Sequence, residues 1–330
     1  MGDGHAVSAA SLRYRALEVR SLALRCGFEL AGIVPVGPSP DYPYYRSWTD
    51  RGLAGAMCYL TDHRADARSD PRNLLPSAGS AICVAKLYNT PQPYSTEFSA
   101  EDRAWISRYA WGDDYHDILR RGLQKLASLL GPDHEYRVCV DTAPLLERSW
   151  ARAAGLGWIG KNTCLINQEI GSWLFLGELL TSLEIEPDAG PPPDRCGTCT
   201  RCIDACPTQA LTPYELDATR CISYFTVELR GAIPEEFHSA MGAHIFGCDI
   251  CQDVCPWNRT APVTTDPAFA PRGFPMSHFA PPLARMAALT EQEFLEMFRG
   301  TPVTRARFAG FQRNVAIAME NRAAASSAQQ

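Results

Sequence analysis

Thirteen cysteines occur in the sequence, and eight of them lie between Cys196 and Cys255. The segment CGTCTRCIDACP, which ends at Pro207, has the pattern C-x2-C-x2-C-x3-C-P. Three thiolates at this close spacing can bind three irons of one 4Fe–4S cube, while the fourth, which precedes the proline, ligates another cluster. The pattern therefore predicts iron–sulfur chemistry. A zinc site is the alternative, because C-x2-C pairs also bind zinc.

A second and shorter copy of the pattern, GCDICQDVCP, runs from Gly247 to Pro256 and has only three cysteines. Ile245 stands where its first cysteine is expected. Two cubes need eight thiolates, and the two copies supply seven, so Cys221 is predicted to be the missing ligand, contributed by an intervening helix. The predicted ligand sets are Cys196, Cys199, Cys202 and Cys255 for one cluster, and Cys206, Cys221, Cys248 and Cys251 for the other.

The composition is that of a soluble globular protein. The chain has 330 residues, of which 46% are hydrophobic and 21% charged, and this length allows one large domain or two ordinary ones. The net charge of −6 excludes a protein that binds nucleic acid through bulk positive charge alone, although a local basic patch is compatible with it.

The sequence contains no apolar run of the roughly 18 residues that a membrane helix needs. Its first residues show neither an apolar leader nor a twin-arginine pair, and Ala6 excludes a myristoylation signal. We therefore expect a cytoplasmic protein without membrane contact. Clustered cysteines in a reducing cytosol are usually metal ligands. The scattered ones are expected to be buried as small apolar residues, and they are Cys26, Cys58, Cys83, Cys139 and Cys164.

Hydrophobic periodicity predicts alternating helices and strands before the cysteine segment, which is typical of an α/β or α+β layer domain. Leucines at helical spacing predict a helix over Tyr115–Leu130 that ends at Gly131-Pro132, and Pro144 suggests the start of another. The other predicted elements are a helix at Leu12–Arg25 and strands at Phe28–Val36, Ser80–Tyr88, Tyr136–Val140 and within Trp173–Ile185.

The segment PDAGPPPD, residues 187–194, breaks these patterns and marks a junction. Two helical stretches follow the cysteine segment, at about 284–299 and 305–322, and the tail AAASSAQQ is expected to be disordered. We therefore predict domains at residues 1–190 and 191–260, followed by a C-terminal helical segment at 261–330 that packs on the core.

No dinucleotide-binding fingerprint opens a helix after a strand. GLGWIGKN, Gly155 to Asn162, has the glycine spacing, but it lies in an apolar turn between a helix and a strand, which is the wrong context. Two clusters side by side form an electron relay, and a relay alone does not need a preceding domain of this size. Something in the first domain is therefore expected to receive the electrons.

Several further motifs together resemble the epoxyqueuosine reductases, which are cobalamin-dependent iron–sulfur enzymes of tRNA modification. The resemblance runs from about Leu12 to Asn321. It is carried by RSDPRNLLP (residues 68–76), WGDDYH (111–116), VDTAPLLER (140–148), GLGWIGKN (155–162), GSWLFLGE (171–178) and RNVAIAMEN (313–321).

The resemblance implies an α+β fold, in which a cobalamin-binding domain of α/β layers precedes a domain like bacterial ferredoxins with two 4Fe–4S clusters and a short helical C-terminus. It implies reduction of epoxyqueuosine at the tRNA wobble position to queuosine, and cobalamin held without a protein imidazole on cobalt. Consistently, Leu119 replaces the glycine of the D-x-H-x-x-G signature, so His116 is interpreted as structural.

The resemblance also implies site residues. Asp141 is the expected acid that protonates the departing oxygen from a closed, apolar pocket; the alternative is that it only caps the helix begun by Pro144. The other expected corrin contacts are Arg68, Asn162, Leu165, Leu176, Ser223, Cys248 and Asp249. The alternative for Arg68 is that it is an ordinary surface arginine, and the alternative for Leu165 and Leu176 is that they belong to the hydrophobic core.

Partners follow from the same resemblance. We expect the chain to be a monomer that binds tRNA and takes electrons from an external low-potential donor. Candidate phosphate contacts are Lys161 and Arg230, and Trp111 and Tyr224 either stack on bases or belong to the core. Two alternatives are a reductive dehalogenase, which usually carries the twin-arginine signal that is missing here, and an electron carrier, which leaves the first domain unexplained.

Overall fold

The computed structural model describes residues 9–98, 102–188, 190–273 and 276–328, so the first residues, on which the absence of a targeting signal was argued, lie outside it. The strands of the described residues are β1 (Leu30–Pro35), β2 (Ser80–Leu87), β3 (Trp105–Ile106), β4 (Tyr136–Cys139), β5 (Trp158–Ile159), β6 (Leu165–Ile166), β7 (Leu174–Thr181), β8 (Leu211–Thr212), β9 (Glu215–Leu216) and β10 (His244–Phe246).

The α-helices of the same residues are short except at the two ends of the chain and in the middle of the first domain. They are α1 (Ala9–Arg25), α2 (Tyr42–Asp50), α3 (Arg64–Ala67), α4 (Tyr115–Leu130), α5 (Glu147–Ala153), α6 (Arg201–Asp204), α7 (His238–Met241), α8 (Ile250–Asp253), α9 (Leu283–Ala287), α10 (Glu291–Met297) and α11 (Arg307–Ala328).

A four-stranded sheet of order β1-β2-β7-β4 forms the centre of the first domain, and all of its pairings are antiparallel. One face is covered by α1 and α4 and the other by α5. Helices on an antiparallel sheet make this an α+β fold, as predicted. Every residue of β2 is buried, because this strand has neighbours on both sides and helices on both faces.

Helix α4 has the predicted limits, since Leu119, Leu123 and Leu126 form its buried stripe. Its N-cap is Asp114, whose side chain accepts a hydrogen bond from the backbone N–H of His116. Gly131 ends it at a φ of 95°, a conformation that favours glycine. The start of α4 therefore fixes the position of His116.

Helix α5 begins later than predicted, at Glu147 rather than Pro144, and Leu146 is its N-cap residue. The intervening residues form tight turns, in which the N–H of Thr142 donates to the carbonyl of Val140 at 2.5 Å. Asp141 lies outside the helix with a φ of 49°. The alternative in which Asp141 caps this helix is therefore wrong.

The cysteine segment is joined to the first domain by a strand pair. Strand β10 pairs in parallel with β3, so contacts cross the predicted boundary at residue 190. Ile245 in β10 is fully buried in a second core with Trp105, Trp111 and phenylalanines of α10 and α11. The second cysteine pattern lacks its first cysteine because this position belongs to the core.

The C-terminal helix α11 packs on this second core and continues through Ala328, so the prediction of a disordered tail is wrong for residues 323–328, and residues 329–330 lie outside the described part. Asn314 in α11 is fully buried. Its amide donates to the carbonyls of Thr226 and Ile245, each at 2.9 Å. Among the described helices, none is both long and apolar enough to cross a membrane.

The Asn314 contacts lead to a stability prediction. Asn314→Ala leaves two buried carbonyls without donors, which is expected to cost about 2 kcal/mol and to lower the Tm of the cluster-loaded protein by about 4 °C. Thermal unfolding under anaerobic conditions measures this. Ser326→Ala on the exposed side of α11, which removes only a bond to the carbonyl of Arg322, is the control. Equal Tm values for the two variants would contradict the anchoring role.

Candidate iron–sulfur and active site

All eight cysteines of the predicted ligand sets are free thiols; Cys255 is buried and the other seven are partly buried. The first set converges. Burial raises the pKa of Cys202, and the nearby Cys196 and Cys199 thiolates raise it further. Burial raises the pKa of Cys255 to about 11, to which Cys196 and Cys202 contribute. Cys202 therefore lies near the other three thiols that counting assigned to the first cluster.

The second set converges in the same way. Burial raises the pKa of Cys248, with further contributions from Cys221 and Cys206. The pKa of Cys251 is raised by the side chain of Cys164 and by burial, and Cys248 and Cys221 add to the effect. These thiols are therefore near one another, and their assignment as ligands of a second cluster stays a prediction. The described residues include no cluster of three His, Cys, Asp or Glu side chains placed around a single metal ion.

Local backbone geometry places the ligands. Cys221 lies between the 3-10 turn Ala218–Arg220 and the helical turn Tyr224–Glu228, which agrees with a ligand contributed by an intervening helical segment. The backbone N–H of Ala210 donates to the sulfur of Cys206 at 3.3 Å, and hydrogen bonds to sulfur tune iron–sulfur clusters.

Lys161 supports the first cysteine loop. Its Nζ donates to the carbonyls of Gly197 at 2.7 Å and Cys199 at 3.1 Å. These bonds tie the loop before β6 to the cluster segment. Its ammonium group is thus engaged within the protein, so the prediction of Lys161 as a phosphate contact is not supported by its geometry.

Asn162 links the first domain to the second cysteine set. Its Nδ2 donates to the carbonyl of Cys251 at 3.3 Å, and its Oδ1 accepts from the backbone N–H of Cys164 at 3.2 Å. The thiol of Cys164 lies against Cys251, and this contact lowers the pKa of Cys164. This neighbour could not be predicted from the sequence, because Cys164 is far from the cysteine segment along the chain.

Asp141 contacts a histidine. The Oδ2 atom of Asp141 lies 3.1 Å from Nε2 of His116, and Nδ1 of His116 lies 2.6 Å from Oδ1 of Asp114. The Asp141 side chain is 50% exposed, so the described residues by themselves do not enclose it as the expected pocket would. Both nitrogens of His116 are engaged with carboxylates, which agrees with the expectation that it does not coordinate cobalt.

The charge of His116 follows from these contacts. Burial lowers its pKa, but the hydrogen bonds and charges of Asp114 and Asp141 outweigh burial and raise it to about 9. At neutral pH the imidazole is protonated beside Asp141. The interpretation of His116 as structural overlooked this pair, because the two residues are brought together only by the packing of α4 against the end of β4.

Several charged side chains, including Asp141, lie near Tyr59. Burial raises the pKa of Tyr59 to about 12, and Glu228, Arg305, Asp141 and Arg68 act on it as neighbouring charges. These side chains therefore share one region, although they come from four separate stretches of the chain. The η atoms of Arg305 bind Glu228 at 2.8 Å, and Arg305 lies with its guanidinium 5.7 Å from the ring centre of Tyr59.

Arg68 also belongs to this region. It is only 6% exposed, and its guanidinium donates to the carbonyl of Arg64 at 2.8 Å and lies 5.6 Å from the ring centre of Tyr45. The alternative in which Arg68 is an ordinary surface arginine is therefore wrong.

Asp249 was expected to contact the corrin, but its side chain is engaged within the protein. It is buried, and its carboxylate accepts hydrogen bonds from the indole of Trp105 at 3.1 Å, the hydroxyl of Ser107 and the backbone N–H of Arg108 at 2.8 Å. The carboxylate fastens the second cysteine loop to the β3 segment. Its side-chain oxygens are thus occupied, and only its backbone remains for a corrin contact.

The other residues that were expected to contact the corrin differ in their solvent exposure. Leu165 is buried in the core on the α5 face of the sheet, and Leu176 is partly buried beside it. Ser223 is partly buried next to the cysteine Cys221. Leu165 therefore fits the core alternative, while Leu176 and Ser223 keep accessible surface.

Two aromatic residues are excluded from base stacking. Trp111 is fully buried, and its indole donates to the carbonyl of Ile106. Tyr224 is 8% exposed, and its hydroxyl accepts from the backbone N–H of Ala56 at 2.8 Å. Both residues belong to the core, which was the alternative stated for them.

Two family models match the chain. Residues 195–258 match the 4Fe-4S double cluster binding domain, which sets the zinc alternative aside. Residues 68–142, which include Arg68, His116 and Asp141, match the model described as Epoxyqueuosine reductase QueG, DUF1730.

Curated proteins named epoxyqueuosine reductase align with nearly the whole chain. The protein of Xanthomonas campestris pv. campestris is 44% identical over 93% of this chain and 86% of its own length. The protein of Escherichia coli K12 is 39% identical over 94% of this chain and 82% of its own length.

Solved structures give the same result. An epoxyqueuosine reductase with an epoxyqueuosine-modified tRNA-Tyr stem loop superposes with a TM-score of 0.84 and 31% identity, over 95% of this chain and 83% of that one. A Bacillus subtilis epoxyqueuosine reductase, described with its catalytic aspartate loop swung out of the active site, gives 0.82 and 30% over 95% and 83%.

The convergence of the cysteines predicts what loss of one ligand does. Cys221→Ala should abolish the second cluster and leave the first, so that iron after anaerobic reconstitution falls from about eight to about four atoms per chain. Iron and sulfide analysis measures this. Cys58→Ala, which removes an exposed cysteine outside both sets, should keep the full content. Full iron content in the Cys221 variant would show that this thiol is not a ligand.

Proposed function

This chain belongs to the epoxyqueuosine reductase family, and we propose that Asp141 and His116 together protonate the oxygen that leaves the substrate. The enzyme is an oxidoreductase that reduces epoxyqueuosine in queuosine synthesis and carries a double 4Fe–4S domain. The observation that supports the proposal is the contact at 3.1 Å between Asp141 Oδ2 and a protonated His116. Neither the dehalogenase nor the electron carrier is favoured by any of these relatives.

The reaction sets what the site must supply. Conversion of an epoxide to an alkene breaks two carbon–oxygen bonds, consumes two electrons and two protons, and releases the oxygen as water. The clusters carry single electrons from an external low-potential donor. Ser223 is partly buried beside Cys221 of the second cysteine set, so we assign the exit of the electrons to that side.

Cobalamin is proposed as the group that receives the electrons. When bound, it supplies a reduced cobalt centre that is a strong nucleophile. The residues that would hold it are Arg68, Asn162, Leu176 and Ser223, with backbone contacts at Leu165, Cys248 and Asp249. Their fit rests on the partly buried apolar surface of Leu176 and the partly buried Ser223. Both nitrogens of His116 are already engaged with carboxylates, so His116 would not be among the residues that hold the group.

In this proposal His116 stores the proton and Asp141 delivers it to the substrate. The protonated imidazole holds a proton on Nε2 beside Oδ2 of Asp141. As negative charge develops on the substrate oxygen, Asp141 can pass this proton on while His116 becomes neutral, stabilised by Asp114 on its other nitrogen. Asp141 has a left-handed backbone conformation, with a φ of 49°, and lies outside α5. In this position its side chain contacts His116.

The substrate is proposed to be the modified wobble nucleoside of tRNA. Support comes from the relative described with a modified stem loop and from a cluster of exposed arginines near Asp141. Burial lowers the pKa of Arg230, and the charges of Arg307 and Arg305 lower it further, so the three guanidinium groups are close together. Such a cluster suits the phosphates that flank a nucleoside extruded from its stack. We further propose that the chain acts as a monomer in the cytoplasm.

Removal of the acid tests the first proposal. Asp141→Ala should retain the iron content of the wild-type protein and lose turnover by about a hundredfold or more, measured as nucleoside reduction in an epoxyqueuosine stem loop under anaerobic conditions. Asp117→Ala in α4, which removes an exposed ion pair with Arg120, is the control. Full turnover in the Asp141 variant would refute its role as the acid.

The arginine cluster makes a separate prediction. Arg307→Ala should raise the KM for the stem loop about tenfold without changing kcat, and should reduce the salt dependence of binding by about one phosphate contact. Lys125→Ala removes an equal charge from the exposed surface of α4, nine residues beyond His116. If both variants change KM equally, the cluster does not contact the phosphates.

A further inference from the structure

A second carboxyl group lies directly behind Asp141. Glu147 is the first residue of α5, and its Oε1 accepts a hydrogen bond from the backbone N–H of Asp141. The side chain of Asp141 therefore contacts His116, while the backbone N–H of Asp141 contacts Glu147. Asp141 has its side chain half exposed, while Glu147 is partly buried on the protein side of the loop.

The surroundings of Glu147 disfavour a negative charge. Helix α5 packs on the sheet face that carries Cys83 and Cys139, and Glu178 lies opposite both cysteines in the strand register. Glu178 is fully buried, and within the described residues neither of its carboxyl oxygens has a hydrogen-bond partner. An ionised carboxyl without a partner is very costly there, so Glu178 is a neutral acid.

The proposed reaction leaves one proton unassigned. The Asp141–His116 pair holds one transferable proton, but the departing oxygen needs two before it leaves as water. A stem loop bound at Asp141, as proposed above, would cover its exposed side and hinder its reloading from solvent. A source of the second proton is therefore expected on the protein side of the loop.

Building on this proposed function, we propose that Glu147 is the second proton donor, which reloads the Asp141–His116 pair during a turnover. In the first step one carbon–oxygen bond breaks, and the pair gives its proton to the oxygen. Glu147 is hydrogen-bonded to the backbone N–H of Asp141 rather than to its side chain, so it then transfers its proton to the pair through one bridging water. The pair gives this proton to the hydroxyl group as the second carbon–oxygen bond breaks and water leaves. The two electrons come from the external donor through the clusters, and Glu147 regains its proton from solvent after product release.

The charges around Glu147 support its role as a stored acid. Burial raises its pKa, and the charge of Asp141 raises it further, while the backbone bond to Asp141 and the charges of Arg148 and His116 lower it. Burial and the Glu147 carboxylate raise the pKa of Glu178. The titratable groups that face this cluster from the sheet and from α4 are Cys83, Cys139 and Tyr115.

The sign of the pH dependence follows. A carboxyl with a raised pKa keeps its proton to higher pH, so turnover that needs this proton is present at low pH and is lost as the pH rises through the raised value. His116 loses its proton at a pKa of about 9. The wild-type kcat profile should therefore decline in two alkaline steps, the first from Glu147 and the second from His116.

The decisive variant is Glu147→Gln, which keeps an oxygen that can accept the Asp141 N–H but cannot donate the acid proton. With saturating stem loop and excess reductant, kcat should fall about tenfold or more while KM stays within about twofold. The first alkaline step should disappear and the step near 9 should remain. Glu178→Gln is the matched control, since it also replaces a buried acid of the same cluster, and it should keep both steps and the wild-type kcat.

The outcomes separate this inference from the function on which it rests. Wild-type kcat and an unchanged pH profile in Glu147→Gln would overturn the inference. A single alkaline step in the kcat profile of the wild-type protein would also overturn it, and this measurement does not depend on the folding of a variant. If Asp141→Ala is inactive while Glu147→Gln behaves as wild type, only the second donor is refuted. Full activity of Asp141→Ala would instead refute the pair itself. Infrared difference spectra provide an independent readout: a protonated carboxyl band that is present in wild type and Glu178→Gln but missing in Glu147→Gln supports the stored proton. Loss of the only such band in Glu178→Gln, with none lost in Glu147→Gln, contradicts it.

Discussion

The double 4Fe–4S domain, with its eight cysteines in two predicted ligand sets, constrains the rest of this structure. The ligands come from a segment of 60 residues, yet each set combines cysteines from both ends of it. The loops between them must therefore return on one another, and hydrogen bonds from outside the segment hold them in place. Lys161 binds the first loop through two carbonyls, and Asp249 fastens the second loop to β3 through three donors. Loss of these ties would move the electron relay relative to the sheet that carries Asp141.

The proton-handling residues lie on the other side of the same junction. His116 is fixed by the N-terminus of α4, and Asp141 is fixed by the end of β4 and by Glu147 at the start of α5. In the proposed reaction, electrons and protons thus reach the substrate from different parts of the fold. Such an arrangement suits a reduction in which carbon–oxygen bonds break only when both arrive.

The sequence predicted those features that depend on local pattern. The leucines of α4 and the Gly131-Pro132 stop gave its limits, and the spacing of the cysteines gave their division into two sets. Features that depend on distant contacts were missed. The turns at 142–146 delay α5, and the packing of α11 extends order into the tail. His116 and Asp141 are 25 residues apart, and the role of Asp249 depends on a strand pair between residues more than a hundred positions apart. Glu178 sits in an apolar strand, where only the three-dimensional structure reveals that no partner reaches it.

The most direct test of this account is a single-turnover experiment with protein that holds both clusters and cobalamin. The protein is reduced anaerobically and mixed with an anticodon stem loop that carries epoxyqueuosine, and the nucleosides are analysed by mass spectrometry. The account predicts loss of one oxygen atom per substrate for two electrons consumed, and no conversion when either the clusters or cobalamin are omitted. An unchanged nucleoside with the fully loaded and reduced protein, or conversion at the same rate without the clusters, would contradict it.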